Sequence, residues 1–208
     1  MKIVPKPKSV KDLVFNSHVP EKRIRQYADG KRYRNILLYG PKGTGKTTAA
    51  QCVVEDIFKR HETVLPPTQY HAANYDSSTK RTIENDWNWQ SIAGIKTAYV
   101  ILNEVDQLPT QRLREMRAFM DEREESNFGK FIFTTNNRHL LDAPFIDRCD
   151  NIELTEIDVN NWKPNVFRWL KDAGIVADVE VVEQMLKTCD GTIRDLERII
   201  DDIVCEYS

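Results

Sequence analysis

No run of apolar residues in this chain approaches the roughly 18 needed to cross a bilayer. The first twelve residues, "MKIVPKPKSVKD", lack the apolar core of a secretory leader. Both absences predict a soluble, cytoplasmic protein with no membrane contact. Cysteine is scarce: Cys52, Cys149, Cys189 and Cys205 show neither CxxC spacing nor a paired framework. That pattern argues against a disulfide scaffold and a structural zinc site, and predicts reduced thiols. Internal repeats and low-complexity segments are also missing, so solenoids and tail-like disordered regions drop out.

What is present fits a globular fold. The 208 residues, 40% of them hydrophobic, can bury one core, or one core and a small satellite domain. The formal charge of −2 hides an asymmetry: residues 1–34 carry ten Lys/Arg against three Asp/Glu, a net +7, which leaves −9 for the rest. A basic front end suits an anionic partner, and equally a solvated lysine-rich tail.

Apolar runs of strand length stand at "NILLY" (35–39), "TAYVIL" (97–102), "KFIFTT" (130–135) and, more weakly, "NIEL" (151–154). Helical stretches such as 46–59 and 111–125 separate them. Continuous rather than alternating apolar strands, with helices between, predict an α/β fold whose parallel sheet is covered on both faces. After about residue 155 only helical periodicity remains, at 159–173, 179–189 and 192–207. The expected organisation is therefore a sheet domain over 1–154 and a small helical domain over 155–208.

The sharpest motif is "GPKGTGKT", Gly40 to Thr47, which follows a strand and opens a helix. Gly40, Gly43 and Gly45 let the backbone curl so that successive N–H groups face a polyphosphate. Lys46 reaches toward β and γ phosphates, the Thr47 hydroxyl suits Mg²⁺, and Thr44 and Thr48 flank the lysine. ATP and Mg²⁺ are the expected cofactors. A second motif, "YVILNEVDQL", runs a buried strand into Asn103 and Glu104. In phosphate-loop ATPases an Asp at the strand end serves the metal and the next Glu polarises water. Here Glu104 is present, while Asn103 keeps one acceptor oxygen but lacks the charge that a hard cation prefers. Weaker Mg²⁺ binding and slow hydrolysis are the expectation. Asp106 is read as a helix cap or surface acid rather than a site residue.

These segments, with "SVKDLVF", "LREMRAFMDE", "FIFTTNN", "APFIDRCD" and "DGTIRDLERI", occur in the order and at the spacing of small clamp-loader subunits. The chain resembles the AAA+ module of replication factor C small subunits and their relatives in T4-like bacteriophages, from about residue 11 onward. The resemblance implies catalytic roles for Glu104, for Asn136 as a sensor of the hydrolytic water, for Arg148 as a finger inserted into a neighbour's site, and for Arg194 as a lid sensor. It implies adenine contacts around Val14 and Phe15, where ordinary packing is an equal reading, and cofactor contact at Asn103. It implies that Ser78, Thr79, Lys80 and Arg81 meet template phosphates; a solvated helix start with a Ser/Thr cap is the alternative.

The implied partners are other AAA+ subunits in a pentamer-like ring, a sliding clamp and primer-template DNA. Arg112, Arg114 and Arg117 read as a solvated face, with Arg117 aligned to a family Arg near the subunit interface. Trp87 and Trp89 read as packing rather than base-stacking groups. Departures from the family are Asn103, Asp147 in place of Ser, Leu113 in place of Gln, and a sequence that stops at Ser208 without the usual C-terminal collar. Two function classes follow: a clamp-loader-like ATPase, and a nucleotide-holding scaffold that turns over slowly. A helicase or initiator loader built on the same module is the runner-up.

Overall fold

The apolar runs assemble into a parallel sheet whose strand order is β2-β3-β4-β1-β5. The computed structural model describes residues 3–63, 65–126 and 128–207. The strands are β1 (Asn35–Tyr39), β2 (Gln69–His71), β3 (Tyr99–Asn103), β4 (Lys130–Thr135) and β5 (Cys149–Glu153), and every pairing is parallel. The intervening helices are α1 (His18–Ala28), α2 (Lys46–Arg60), α3 (Ser77–Ile92), α4 (Thr110–Ser126) and the single turn α5 (Ala143–Ile146).

Alternate side chains of each strand go to opposite faces. Ile36, Leu38, Ile101, Ile132 and Ile152 pack with Ile24, Ala49, Val53 and Ile57 of α1 and α2. Leu37, Val100, Leu102, Phe131 and Phe133 pack with Ile83, Trp87, Met116, Phe119 and Phe145 of α3, α4 and α5. Covering both faces is why the strands read as unbroken apolar runs. Trp87 is 1% exposed, with ring centroids 5.3 Å from Phe119 and 5.0 Å from Phe131, so it packs as expected; Trp89 is 65% exposed.

Three strands differ from the sequence reading, β3 only in running over 99–103 rather than 97–102. Strand β2 has three residues that alternate in exposure and carries no apolar run, so periodicity gave no sign of it. Strand β5 begins at Cys149 rather than Asn151, because polar residues lie inside it for a reason. The Asp150 carboxylate accepts hydrogen bonds from Tyr27 Oη (3.0 Å), Arg32 Nη1 (2.7 Å) and Arg23 Nη1 (3.3 Å). Part of the basic front end is thus spent on tying α1 to β5.

The last three helices, α6 (Val159–Asp172), α7 (Val179–Leu186) and α8 (Ile193–Tyr207), surround a separate apolar cluster built on Trp162, Val166, Leu186, Leu196, Ile200 and Ile203. Ile3, Val4 and Val14 from the N-terminal segment pack against that cluster. Among the described residues no helix is long and apolar enough to cross a membrane, and all four cysteines are free.

Because β2 is so short, Tyr99 lies beyond its reach, and a side chain takes over its sheet bonding. Gln90 of α3 accepts from Tyr99 N (3.1 Å) and donates to Tyr99 O (3.2 Å), imitating a neighbouring strand while itself buried. Gln90→Ala leaves two buried backbone groups unpaired. It should lower stability by roughly 2–6 kcal/mol, since each such group costs about 1–3 kcal/mol; an unchanged denaturation midpoint would contradict this role for Gln90.

Candidate functional site

The loop from Gly40 to Gly45 leaves the C-terminal end of β1, the strand held between β4 and β5, and delivers Lys46 to the first turn of α2. Gly40 has φ of 143°, and a Cβ there would sit 2.0 Å from the Leu154 carbonyl oxygen, so the approach of β5 to the loop requires glycine. Gly43 has φ of 87° and faces Thr192 of the helical cluster, 2.8 Å from where its Cβ would stand. The Ile193 N–H at the start of α8 donates to the Gly43 carbonyl (3.0 Å). The C-terminal helical cluster therefore rests directly on the Gly40–Gly45 loop.

Lys46 is 7% exposed and folds over the loop, donating to Gly40 O (2.9 Å) and Pro41 O (2.6 Å). Thr44 Oγ1 also donates to Pro41 O (3.0 Å). Burial pulls the Lys46 ammonium down to about 8; Asp106 opposes the shift, Arg194 adds to it, and Glu104 opposes it. The β3 end, through Glu104 and Asp106, and the start of α8, through Arg194, thus both act on Lys46 at this end of the sheet. Thr48 lies half-buried on the same turn as Thr47.

Thr47 Oγ1 donates to Asn103 Oδ1 (3.1 Å), which also accepts from Thr134 Oγ1 (3.1 Å). A hydroxyl and an amide oxygen side by side are donors of the oxygen type that Mg²⁺ takes, and they fit it without supplying charge. Glu104 follows with a left-handed backbone, φ of 57° and ψ of 49°, an uncommon state for a residue with a Cβ. Its N–H donates to Thr134 Oγ1 (3.2 Å). The Glu104 carboxylate lies 3.2 Å from His71 Nε2 and accepts from Gln107 Nε2.

Asp106 caps no helix, contrary to the reading from sequence. It accepts from Thr135 Oγ1 (2.7 Å) and from Asn137 Nδ2 (2.9 Å), which fastens the β3 end to the segment after β4. Asn136, the expected water sensor, is half-buried and lies in that fastened segment, directly after β4.

Arg194, on the first turn of α8, lines a cavity of about 410 Å³ with Lys42, Gly43, Thr192, Asp195 and Arg198. Val14 and Phe15 line a second cavity, of about 340 Å³, with Arg23, Tyr39, Leu154 and Ile193. Asn16 closes its rim: its amide donates to Thr155 Oγ1 (3.1 Å) and the Glu156 carbonyl and accepts from Asp158 N (3.0 Å). Neither Asn16 nor His71 stands in a recognisable motif, since each acts through contacts distant in the chain.

Arg148 stands apart from these groups. Its guanidinium forms a two-bond fork with Asp121 of α4, Nε to Oδ1 at 2.7 Å and Nη2 to Oδ2 at 2.9 Å. Ser78, Thr79, Lys80 and Arg81 form the first turn of α3. The cap is Asp76, overlooked in the sequence although Thr79 three residues on completes a capping box. Ser78 and Thr79 both donate to its carboxylate, which these hydrogen bonds, Ser78's first, hold down at about 2. Lys80 pairs with Glu122 (3.2 Å) and lies over the Phe119 ring, and Arg81 is exposed.

Comparison with known proteins agrees with this geometry. Replication factor C small subunits are similar at low identity: that of Aeropyrum pernix is 22% identical over 91% of this chain and 58% of its own length. That of Staphylothermus marinus is 24% identical over 94% of this chain and 58% of its own. The chain thus spans a little over half the length of these curated relatives. Among solved structures, the Thermotoga maritima RuvB Holliday junction branch migration motor superposes with a TM-score of 0.74 at 16% identity, over 94% of this chain and 64% of that one. The replication initiator DnaA bound to AMPPCP and single-stranded DNA gives 0.72 at 17% identity, over 99% of this chain and 67% of that one. The profile of the ATPase family associated with various cellular activities (AAA) matches residues 36–157, more than half of the sequence. The chain belongs to the AAA family of ATPases.

Proposed function

We propose that this chain is a clamp-loader-like AAA+ ATPase subunit of DNA replication, which binds ATP between subunits and acts on primer-template DNA to load a sliding clamp. The observation that carries the reading is the similarity to replication factor C small subunits over nine-tenths of the chain, joined to a phosphate-loop Lys46 whose charge both Glu104 and Arg194 act on. In this reading residues 155–208 are a lid that turns on the hinge held by Asn16.

The phosphate loop and Lys46 bind the triphosphate, with Lys46 leaving the Gly40 and Pro41 carbonyls for β and γ oxygens. Thr47 and Asn103 would hold Mg²⁺, which when bound supplies positive charge between phosphate oxygens. Val14 and Phe15 flank the adenine. Glu104 orients and deprotonates the attacking water, with Asn136 beside it. Arg194 reports the phosphates to the lid, and Arg148 of a neighbour neutralises charge on the γ phosphate. Ser78, Thr79, Lys80 and Arg81 meet DNA phosphates without reading sequence. Partners in this account are other AAA+ subunits in a ring, a clamp and DNA.

One observation favours a second reading. Asn103 makes the metal corner neutral, so a subunit that holds ATP to fix an assembly and turns over slowly also fits. The RuvB and DnaA likenesses keep a branch-migration or initiator-type loader as the further alternative.

Removing the Lys46 charge tests the site itself. Lys46→Ala should weaken ATP binding by roughly 10- to 100-fold, as expected for a lost charge-assisted bond to phosphate. Isothermal titration giving wild-type affinity would contradict the assignment. Reversing both charges at Lys80 and Arg81 tests the DNA surface. Lys80→Glu with Arg81→Glu should weaken primer-template binding and flatten the slope of log affinity against log salt by roughly two. An unaltered slope would move the DNA contact elsewhere.

A further inference from the structure

We propose that Asp121 restrains Arg148 in cis, and that the triphosphate held by a second copy of this chain competes with the Asp121 carboxylate for the same guanidinium. The inference rests on Arg148 serving as a finger between subunits.

The segment that bears Arg148 is fixed to α4 at both ends by charges of opposite sign. At its start, Asp142 caps α5 and pairs with Arg117 Nη1 at 3.2 Å. At its end, Arg148 pairs with Asp121. Arg117 and Asp121 are four residues apart and so share one face of α4. The remaining guanidinium nitrogen, Nη1, donates to the Pro144 carbonyl at 2.6 Å. All three guanidinium nitrogens are therefore engaged within the chain, in the parallel two-bond geometry that Arg also makes with phosphate. A phosphate group from another subunit offers the same acceptor pattern and cannot share the fork with Asp121.

The restraint is built to release. The pair is partly exposed, with 31% of the Arg148 and 51% of the Asp121 side chain open to solvent. Ion pairs this open are worth roughly a factor of two to five. The base does not need to move with the tip: Phe145 is fully buried and its ring centroid lies 4.9 Å from that of Phe133. Breaking the fork frees the Arg148 side chain while Phe145 and the Arg117–Asp142 pair hold the segment in place. Glu124 and Asp142 add negative charge around Arg148, so the guanidinium freed from Asp121 stays charged and oriented within the same segment.

Asp121→Asn keeps the side-chain shape and removes the charge, and the site is exposed enough for the variant to fold. The readout is self-association of the full chain, followed by sedimentation velocity with Mg²⁺ and a non-hydrolysable ATP analogue. The variant should associate at a concentration about two- to fivefold lower than wild type, and in an Arg148→Ala background the same substitution should change nothing. Association that is unchanged or weakened in Asp121→Asn, while Arg148→Ala is impaired, overturns the restraint and leaves the finger standing. Arg148→Ala associating as well as wild type removes the finger and the restraint together. A chain that stays monomeric in every version also overturns the proposal, since no second copy then competes for Arg148.

Discussion

The candidate site depends on one oxygen atom. Asn103 Oδ1 accepts hydrogen bonds from Thr47 and from Thr134, and so joins the helix that follows the phosphate loop to two central strands. The backbone of Glu104, next in sequence, bonds to the same Thr134 hydroxyl. A side-chain oxygen at this position is therefore needed to align the loop, the strand end and the water-side acid. An amide does this as well as a carboxylate. What the amide does not bring is charge, in a corner whose oxygens suit a divalent cation. The corner thus keeps its hydrogen bonds with oxygens that carry no net charge.

Around that junction the other groups fall into place through backbone geometry. The start of α8 touches the loop through Ile193 N and Gly43 O, close enough that Gly43 tolerates no larger residue without a shift. The position of the C-terminal helices and the shape of the loop are accordingly linked. Lys46, buried and lowered to about 8, has its charge opposed by Arg194 and supported by Asp106 and Glu104. A triphosphate would take the place of the loop carbonyls that now receive its ammonium. Asp106, through Thr135 and Asn137, holds the segment bearing Asn136 against the β3 end.

Most of the fold was legible because its strands are buried on both faces and its phosphate loop has a spacing tied to mechanism. The unbroken runs at 35–39 and 130–135 match β1 and β4 residue for residue. Strand β2 was not legible, since three residues, two of them exposed, are too few to show a period, and β5 was read to start two residues late because Asp150 looks like a loop residue until Tyr27, Arg23 and Arg32 are seen to converge on it. Gly40, Lys46, Thr47 and Asn103 could be named from the sequence because their chemistry is local. Asn16, His71 and Asn137 could not, because each acts on a partner far away in the chain. Asp106 was misjudged for the same reason: its partners Thr135 and Asn137 lie on another strand end, and only the folded chain brings them within reach.

The account turns on whether the neutral oxygen of Asn103 limits turnover in a site that is otherwise complete. The most direct measurement is steady-state ATP hydrolysis, with and without primer-template DNA, for the native chain beside Asn103→Asp. Faster, DNA-stimulated turnover in the Asp version, with ATP binding retained in both, is the predicted result. Equal turnover in the two would contradict the account, since the missing charge would then have no bearing on the chemistry.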